Sequence, residues 1–310
     1  MSRLPAVAVC LGLLLIVGRV AAQPAAGAPP QSDVRFAGEL GFRLRTSSDD
    51  KAETTVVLTR VSSRLAPIGD PITLHQGPRL RTALAVRPDA VLVALVRSGA
   101  RPSVRFALLR LGPDGSPPAQ PLVLDATARR TGNDSAPTAV VVCPDPEGFT
   151  VLWQEQSTRD PNGEARAYLG RIGADGRWLA PAAAVPIPWG IGAIARTGEH
   201  YHLAVYYDGA RPDQTRLCFV TLSVAGQPEQ HPWWATPPEM VDEVQLQPVG
   251  AEVVAYYRGG ARGTSLRSVR ITTPGQWGQE PAPPADHGAI APGEDYALRL
   301  AGTGEVEVLR

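Results

Sequence analysis

Residues 166–185, RAYLGRIGADGRWLAPAAAV, decide the fold. An apolar strand runs to Asp175-Gly176, the chain turns, and a return strand carries Pro181. An Asp-Gly pair between apolar runs is among the strongest short hairpin signals, because glycine accepts the positive φ that primed two-residue turns demand. Proline cannot donate to a ladder, so the return strand belongs at a sheet edge. An edge interrupted by proline also resists pairing with other molecules.

The same register recurs in RFALLRLGPDGSPPAQPLVL (105–124) and RLCFVTLSVAGQPEQHPWWA (216–235). It returns less closely in TVVLTRVSSRLAPIGDPITL (55–74) and LRSVRITTPGQWGQEPAPP (266–284). Its turn glycines Gly115, Gly176, Gly226 and Gly275 fall about 50 to 60 residues apart, a period that marks a repeat architecture. Upstream of each hairpin lies a continuous apolar strand: VLVALVR (91–97), FTVLWQE (149–155), YHLAVYY (201–207) and EVVAYYR (252–258). Such strands are covered on both faces. A shorter strand precedes each: LAV (84–86), TAVVV (138–142), IGAIA (191–195) and VQLQ (244–247).

Four short strands per unit of about 50 residues describe the blade of an all-β propeller, whose sheets are stable only when stacked on their neighbours. The expected fold has five or six blades of up to four antiparallel strands. First-pair strands occur six times, counting DVRFA (33–37) with GFRLRT (41–46) and DYALRLA (295–301) with EVEVLR (305–310). Outer hairpins occur five times. If the Glu53 to Leu74 hairpin completes the last unit, the ring has five blades and residues 33–46 are spare. If the N-terminal segment keeps its own blade, there are six and the last is incomplete. The second arrangement is slightly favoured.

GFTVLWQEQ (148–156) followed by AYLGRIGADGRWLAP (167–181) resembles the blades of secreted bacterial β-propeller repeat proteins, whose units read like "gfvvaWq…rld.dGtplgp". The likeness covers residues 80 to 235 well and the ends weakly. It implies a propeller and an exported location. Proteins of that kind mostly have no assigned activity, so the resemblance carries no site residues across. The Asp box of sialidase-type propellers, Ser-x-Asp-x-Gly-x-Thr-Trp, is absent. So is the WD pattern, and the kelch glycine pair appears once, at Gly259-Gly260.

The N-terminus, MSRLPAVAVCLGLLLIVGRVAAQ, has Arg3, an apolar stretch from Leu4 to Gly18, and small residues at Val20-Ala21-Ala22. It reads as a signal peptide over residues 1–22, cleaved before Gln23, and too short for a bilayer span. Residues 23–32 read as a Pro/Ala-rich linker, and 33–310 as one propeller domain. The expected location is secreted or periplasmic, with no membrane span after signal removal. In an oxidising compartment Cys143 and Cys218 form a possible disulfide; the alternative is that both are small buried apolar residues.

Thirty basic and thirty acidic residues cancel among 310, and the charge is spread along the chain. That gives no reason to expect a nucleic-acid or anionic-membrane partner. Of the basic residues only Lys51 is lysine. Thirty-one glycines and thirty-one prolines argue against a helical bundle, whose interiors exclude both.

There is no Walker loop, HExxH, GxSxG or CxxC, and no cofactor is expected. His200 and His202 alternate at strand spacing and face one side, so they form a candidate binding pair. The Asp160-Pro161-Asn162-Gly163-Glu164 loop has oxygens at alternating positions, a weak likeness to a calcium loop. Trp178 and Trp277 sit at equivalent places beyond their turn glycines, which points to packing. Trp233 and Trp234 are adjacent strand residues facing opposite sides, so one ring is a candidate for stacking on a sugar or a partner. Asp89, Asp134, Asp208, Asp242 and Asp295 sit in other loops, and if the blades close some fall near one mouth of the channel. The leading expectation is an exported protein- or glycan-binding or scaffold module without a catalytic site. The alternative is a glycan-active hydrolase or lyase using acidic residues at a channel mouth; a purely structural surface protein is a third reading.

Overall fold

The structure is a computed structural model that describes residues 31–48, 53–97, 102–126, 135–157, 165–187, 189–207, 215–229, 233–234, 236–237, 239–260, 264–271, 283–290, 296–301 and 305–310. All regular structure among these residues is β. The first blade comprises β1 (Gln31–Ala37), β2 (Leu40–Ser48), β3 (Glu53–Val61) and β4 (Pro67–Pro78). The second comprises β5 (Arg81–Val86), β6 (Ala90–Arg97), β7 (Ser103–Arg110) and β8 (Leu122–Asp125). The third has β9 (Ser135–Asp145), β10 (Gly148–Ser157), β11 (Arg166–Gly173) and β12 (Trp178–Val185). The fourth has β13 (Gly190–Thr197), β14 (His200–Tyr207), β15 (Arg216–Ser223) and β16 (Trp233–Trp234). The fifth has β17 (Asp242–Val249), β18 (Glu252–Gly259), β19 (Ser265–Ile271) and β20 (Ala285–Ala289). A two-stranded sheet, β21 (Ala297–Leu300) with β22 (Val306–Leu309), follows.

Every sheet is antiparallel and runs in sequence order, with the first strand of each at the ring axis and the fourth strand of each full blade outermost. Proline falls on both edges, in β4 and β12 outside and in β9 and β17 at the axis. This is a β-propeller of five full blades, and the two-stranded sheet fills the seam between the fifth and the first. The cores identify the seam. Leu44 and Leu58 meet Leu84 and Val93 between the first two blades. Phe106 meets Trp153, Leu152 meets Tyr201, and Phe219 meets Tyr257 at the next three junctions. Beyond them, Tyr256 and Leu266 pack on Tyr296 and Leu298, and Ala297 packs on Val34 and Val61. Each large side chain so buried contributes about 1.5–3 kcal/mol. The N-terminal strands thus keep their own blade, but the ring has five blades and not the six slightly favoured by the repeat, because among the described residues the last strand pair gains no outer strands and only fills the seam. Gln31 and Ser32, assigned to the linker by composition, belong to β1.

The outer hairpins depart from the primed turn expected of Asp-Gly. Gly115 and Gly176 have φ of 75° and 83°, but Asp114 and Asp175 do not have positive φ. The amide of Gly115 donates to the carbonyl of Gly112, and the amide of Gly112 to that of Ser116. A type I turn closed by a left-handed glycine produces this pattern. The aspartate's role is to accept from the amide two residues on, at 3.0 Å from Ser116 and 2.9 Å from Arg177.

Candidate functional site

The first strands of all six sheets line a central cavity of about 1020 Å³. They run in the same sense. Arg81 at the start of β5 donates to the carbonyl of Thr138 near the start of β9, and Arg87 just beyond β5 reaches the carbonyl of Asp145 at the end of β9. Aliphatic and small residues, among them Ala83, Ala85, Val142, Gly192 and Val244, form the waist. Charged groups gather at both ends.

At the far mouth, where the first strands end, the turns are tight: Asp145 pairs with Gly148 and Thr197 with His200 across two-residue connections. The Asp145 side chain is 0% exposed. It accepts from Arg171 Nη2 at 2.8 Å and Nε at 3.2 Å, and also from Arg196. Thr150 Oγ1 at 3.2 Å, Tyr201 OH at 3.3 Å and the Glu147 amide at 3.3 Å complete its shell. Burial alone raises its carboxyl, but the hydrogen bonds from Arg171, the Glu147 amide and Arg196 outweigh this and hold it at about 2. The Asp145 side chain therefore ties the third and fourth blades together and has no capacity left for a substrate, while the second blade reaches its main-chain carbonyl through Arg87.

At the entry mouth, where the first strands begin, the strands of the third, fourth and fifth blades each carry an irregularity. Register slips between Gln154 and Glu155 opposite β9, between Ile191 and Ala193 in β13, and between Asp242 and Gln245 in β17. Bulges re-aim side chains and concentrate beside active sites. Glu243, inside the β17 bulge, has φ of 48°, a left-handed conformation that costs a non-glycine residue about 1–2 kcal/mol. Its carboxylate meets Arg258 Nε at 2.5 Å and is 49% exposed.

Around Glu243 stand groups from the seam. Arg35 pairs with Asp33 at 2.9 Å and its Nη1 donates to Gln245 Oε1 at 2.9 Å, a bond from the first blade to the fifth. Tyr296 OH donates to the Glu243 carbonyl at 3.1 Å, and the Arg258 guanidinium lies 5.7 Å from its ring centroid. Burial pushes the Tyr296 phenol well above its ordinary value, Glu243 and Asp33 add to this, and Arg35 and Arg258 oppose it. Asp33 and Glu243 thus face a common space with two guanidiniums and a protonated phenol. Ser32 Oγ, also lining the cavity, is buried without a hydrogen-bond partner among the described residues.

Of the residues singled out by sequence, Asp242 begins the β17 bulge beside Glu243, and the other described ones lie elsewhere. His200 and His202 share a face of β14, but each has its own partner. His200 Nδ1 is 2.6 Å from Glu229 Oε2, and His202 Nε2 is 2.7 Å from Thr197 Oγ1. Burial lowers the His202 pKa, and the neighbouring His200 adds to that. Among the described residues no group of three or more His, Cys, Asp or Glu gathers in a metal-holding arrangement. Trp233 and Trp234 form β16, opposite Phe219 and Cys218, and their side chains lie outside the described residues. So do Trp277, the 160–164 loop, Asp134, Asp208, Asp295 and the Asp242 side chain. Trp178 packs edge-on against Phe106 of the next blade, the packing role expected of it. Asp89 is held by Arg87 Nε at 2.9 Å and Nη2 at 3.2 Å, and this pairing lowers its pKa.

The possible disulfide is corrected. Cys143 and Cys218 are both buried and free. They belong to one core, between the third and fourth blades, but Cys143 is on an innermost strand and Cys218 on a third strand. Burial raises both thiols, Cys218 to about 12.

A signal for the entry mouth was present in the sequence. The first strands of the second to fourth blades are apolar in mid-strand, whereas DVRFA and DEVQLQ interleave charged or amide residues with apolar ones. Those two strands flank the seam.

No protein family matches the chain, and no curated protein does. Solved structures do. Trypanosoma rangeli sialidase in complex with the inhibitor DANA aligns with a TM-score of 0.55 at 10% identity, over 89% of this chain and 51% of that one. This chain thus spans about half the length of that sialidase. A thermostable family-43 glycoside hydrolase aligns with a TM-score of 0.47 at 9% identity, over 90% of this chain and 92% of that one. Cellvibrio cellulosa alpha-L-arabinanase complexed with arabinohexaose aligns with a TM-score of 0.44 at 10% identity, over 89% of this chain and 94% of that one. At such identities the likeness is one of fold. Among the described residues no helix is long and apolar enough to cross a membrane.

Proposed function

We propose that this chain is a carbohydrate-active propeller protein that takes a glycan at the entry mouth and hydrolyses a glycosidic bond with the carboxyl groups of Asp33 and Glu243. The observation that carries the reading is Glu243. A β-bulge and a strained left-handed backbone aim an exposed carboxylate over the channel, and strain of this kind accumulates where a side chain has work to do. Two carboxyl groups flanking the bond are the usual requirement of the chemistry. Arg35, Arg258 and Gln245 supply donors for sugar hydroxyl or carboxylate oxygens. Export, proposed on the leader-like residues 1–22, puts the protein where polymeric glycans are found; the mass of the mature N-terminus, expected at Gln23, checks it.

The test is turnover of a panel of nitrophenyl glycosides and oligosaccharides by the wild-type chain, Glu243→Gln and Asp33→Asn. Wild-type turnover, reduced at least about 100-fold in each variant, is expected. An inert wild type that also binds no glycan defeats the reading. A second reading, a glycan-binding module, is favoured by one feature: both carboxylates already face an arginine. Binding without turnover decides for it.

A further inference from the structure

The described aromatic residues divide sharply. Trp153, Tyr201, Tyr257, Phe106 and Phe219 are fully buried, whereas Trp189, Tyr206 and Tyr207 are partly exposed at one end of the fourth blade, Trp189 and Tyr207 on one face and Tyr206 on the other. Their proximity follows from register. Gly190 pairs with Tyr206 across β13 and β14, so the next antiparallel step sets Trp189 opposite Tyr207. Trp189 and Tyr207 both rest on the core between the third and fourth blades, and Tyr206 on the core between the fourth and fifth. All three stand at the entry mouth, because β13 begins there.

The bulged Gly192 links this group to the charged mouth. A Cβ at Gly192 would stand 2.9 Å and 3.1 Å from Cε2 and Cζ of Tyr206, and 2.5 Å from Val244 Cγ1. The Tyr206 ring therefore lies against the channel wall beside Val244, the residue after Glu243. Further out, Gln154 Nε2 donates to the Trp189 carbonyl at 2.9 Å and fixes its backbone. Trp189 Nε1 is buried without a hydrogen-bond partner among the described residues, so packing alone places the ring. A partly exposed indole held this way offers an apolar face of the kind that the C–H face of a pyranose or furanose covers.

We propose that Trp189 and Tyr207 form a stacking shelf for a further sugar ring of the glycan held at Glu243, so that the protein prefers oligosaccharides to single sugars. This rests on the glycan reading above and adds a second subsite to it. The experiment is calorimetric titration of the full chain with xylo-oligosaccharides and arabino-oligosaccharides of increasing length, for wild type, Trp189→Ala, Trp189→Phe and Tyr207→Ala. The expected result is a wild-type affinity that rises with length. Trp189→Ala loses about tenfold on the longer members, equivalent to about 1.4 kcal/mol, and little on the shortest, while Trp189→Phe recovers most of it. Tyr207→Ala, which spares the indole, guards against a Trp189→Ala chain that does not fold, and should reproduce the length-dependent loss. Wild-type affinity at every length in Trp189→Ala and Tyr207→Ala overturns the shelf and leaves the glycan reading standing. A wild type that binds neither these series nor any glycan of the wider panel overturns both.

Discussion

At the far mouth, Asp145 receives hydrogen bonds from two arginines, a threonine, a tyrosine and a main-chain amide, and its side chain is 0% exposed. At the entry mouth, Asp33 and Glu243 are 26% and 49% exposed, each against one arginine. The same strands build both ends. The far end closes in tight two-residue turns, while the entry end is bulged in three blades. A saturated buried carboxylate stabilises a fold. A partly exposed one on a strained backbone retains capacity for a ligand. The comparison separates a clamp from a site.

The largest effect should come from breaking the clamp. Asp145→Ala leaves the largely buried Arg196 guanidinium with only the exposed Glu199 carboxylate at 3.7 Å, and losing the buried partner of such a charge typically costs about 3–5 kcal/mol. Chemical denaturation should show that loss, and glycan turnover per folded molecule should be retained. A loss below about 1 kcal/mol would mean that the Asp145 side chain is not the tie between the third and fourth blades.

The entry mouth should respond differently. Glu243→Gly and Glu243→Ala both take the carboxylate from the buried Arg258, and only glycine relieves the positive φ, so the glycine variant should be the more stable of the two by about 1 kcal/mol while turnover falls at least about 100-fold in both. Paired denaturation and kinetic measurements check both halves. A glycine variant no more stable than the alanine variant shows that the backbone at position 243 is not strained.

How much of this was legible beforehand follows from what repeats. The outer hairpins, their glycines and their prolines recur because every blade needs a turn and a protected edge, so period and fold could be read. The site does not recur. Asp33, Arg35, Glu243, Arg258 and Tyr296 come from the two ends of the chain and meet only because the ring closes. The bulge at Glu243 has no signature in DEVQLQ except the interleaved polar residues. Aspartates in turns were the natural suspects, but turns favour aspartate for their own hydrogen bonding, as Asp114 and Asp175 show. Trp189, at the start of an inner strand and unmatched in the other blades, gave no repeat-based reason to be noticed.

A smaller difference between the mouths should appear in acid. The folded-state pKa of Asp145 is about 2, below the roughly 3.9 of an unfolded aspartate. A depressed value means that the unfolded chain takes up the proton first. The stabilisation is therefore complete above about pH 4 and is lost as pH falls through about 2. Melting temperatures across that window should fall steeply for wild type and much less for Asp145→Asn. Parallel curves would remove Asp145 from the explanation of acid sensitivity.

The smallest expected effect is none, and it is informative because of where Cys143 sits. It lies on β9 two residues before Asp145, in the core that the clamp holds shut. Its thiol is pushed far above its ordinary value, first by burial and then by the Asp145 charge, and a protonated buried thiol is a poor nucleophile. Reductant should therefore leave the melting temperature unchanged, and iodoacetamide should modify neither Cys143 nor Cys218 in the native protein. Both should label fully after unfolding without reductant, since the two are free. In Asp145→Ala the wall beside Cys143 loses its tie, so Cys143 should label measurably faster than in wild type, while Glu243→Gly leaves its rate unchanged. Equal acceleration by both variants would mean that the two mouths open together, and the separation of clamp from site would fail.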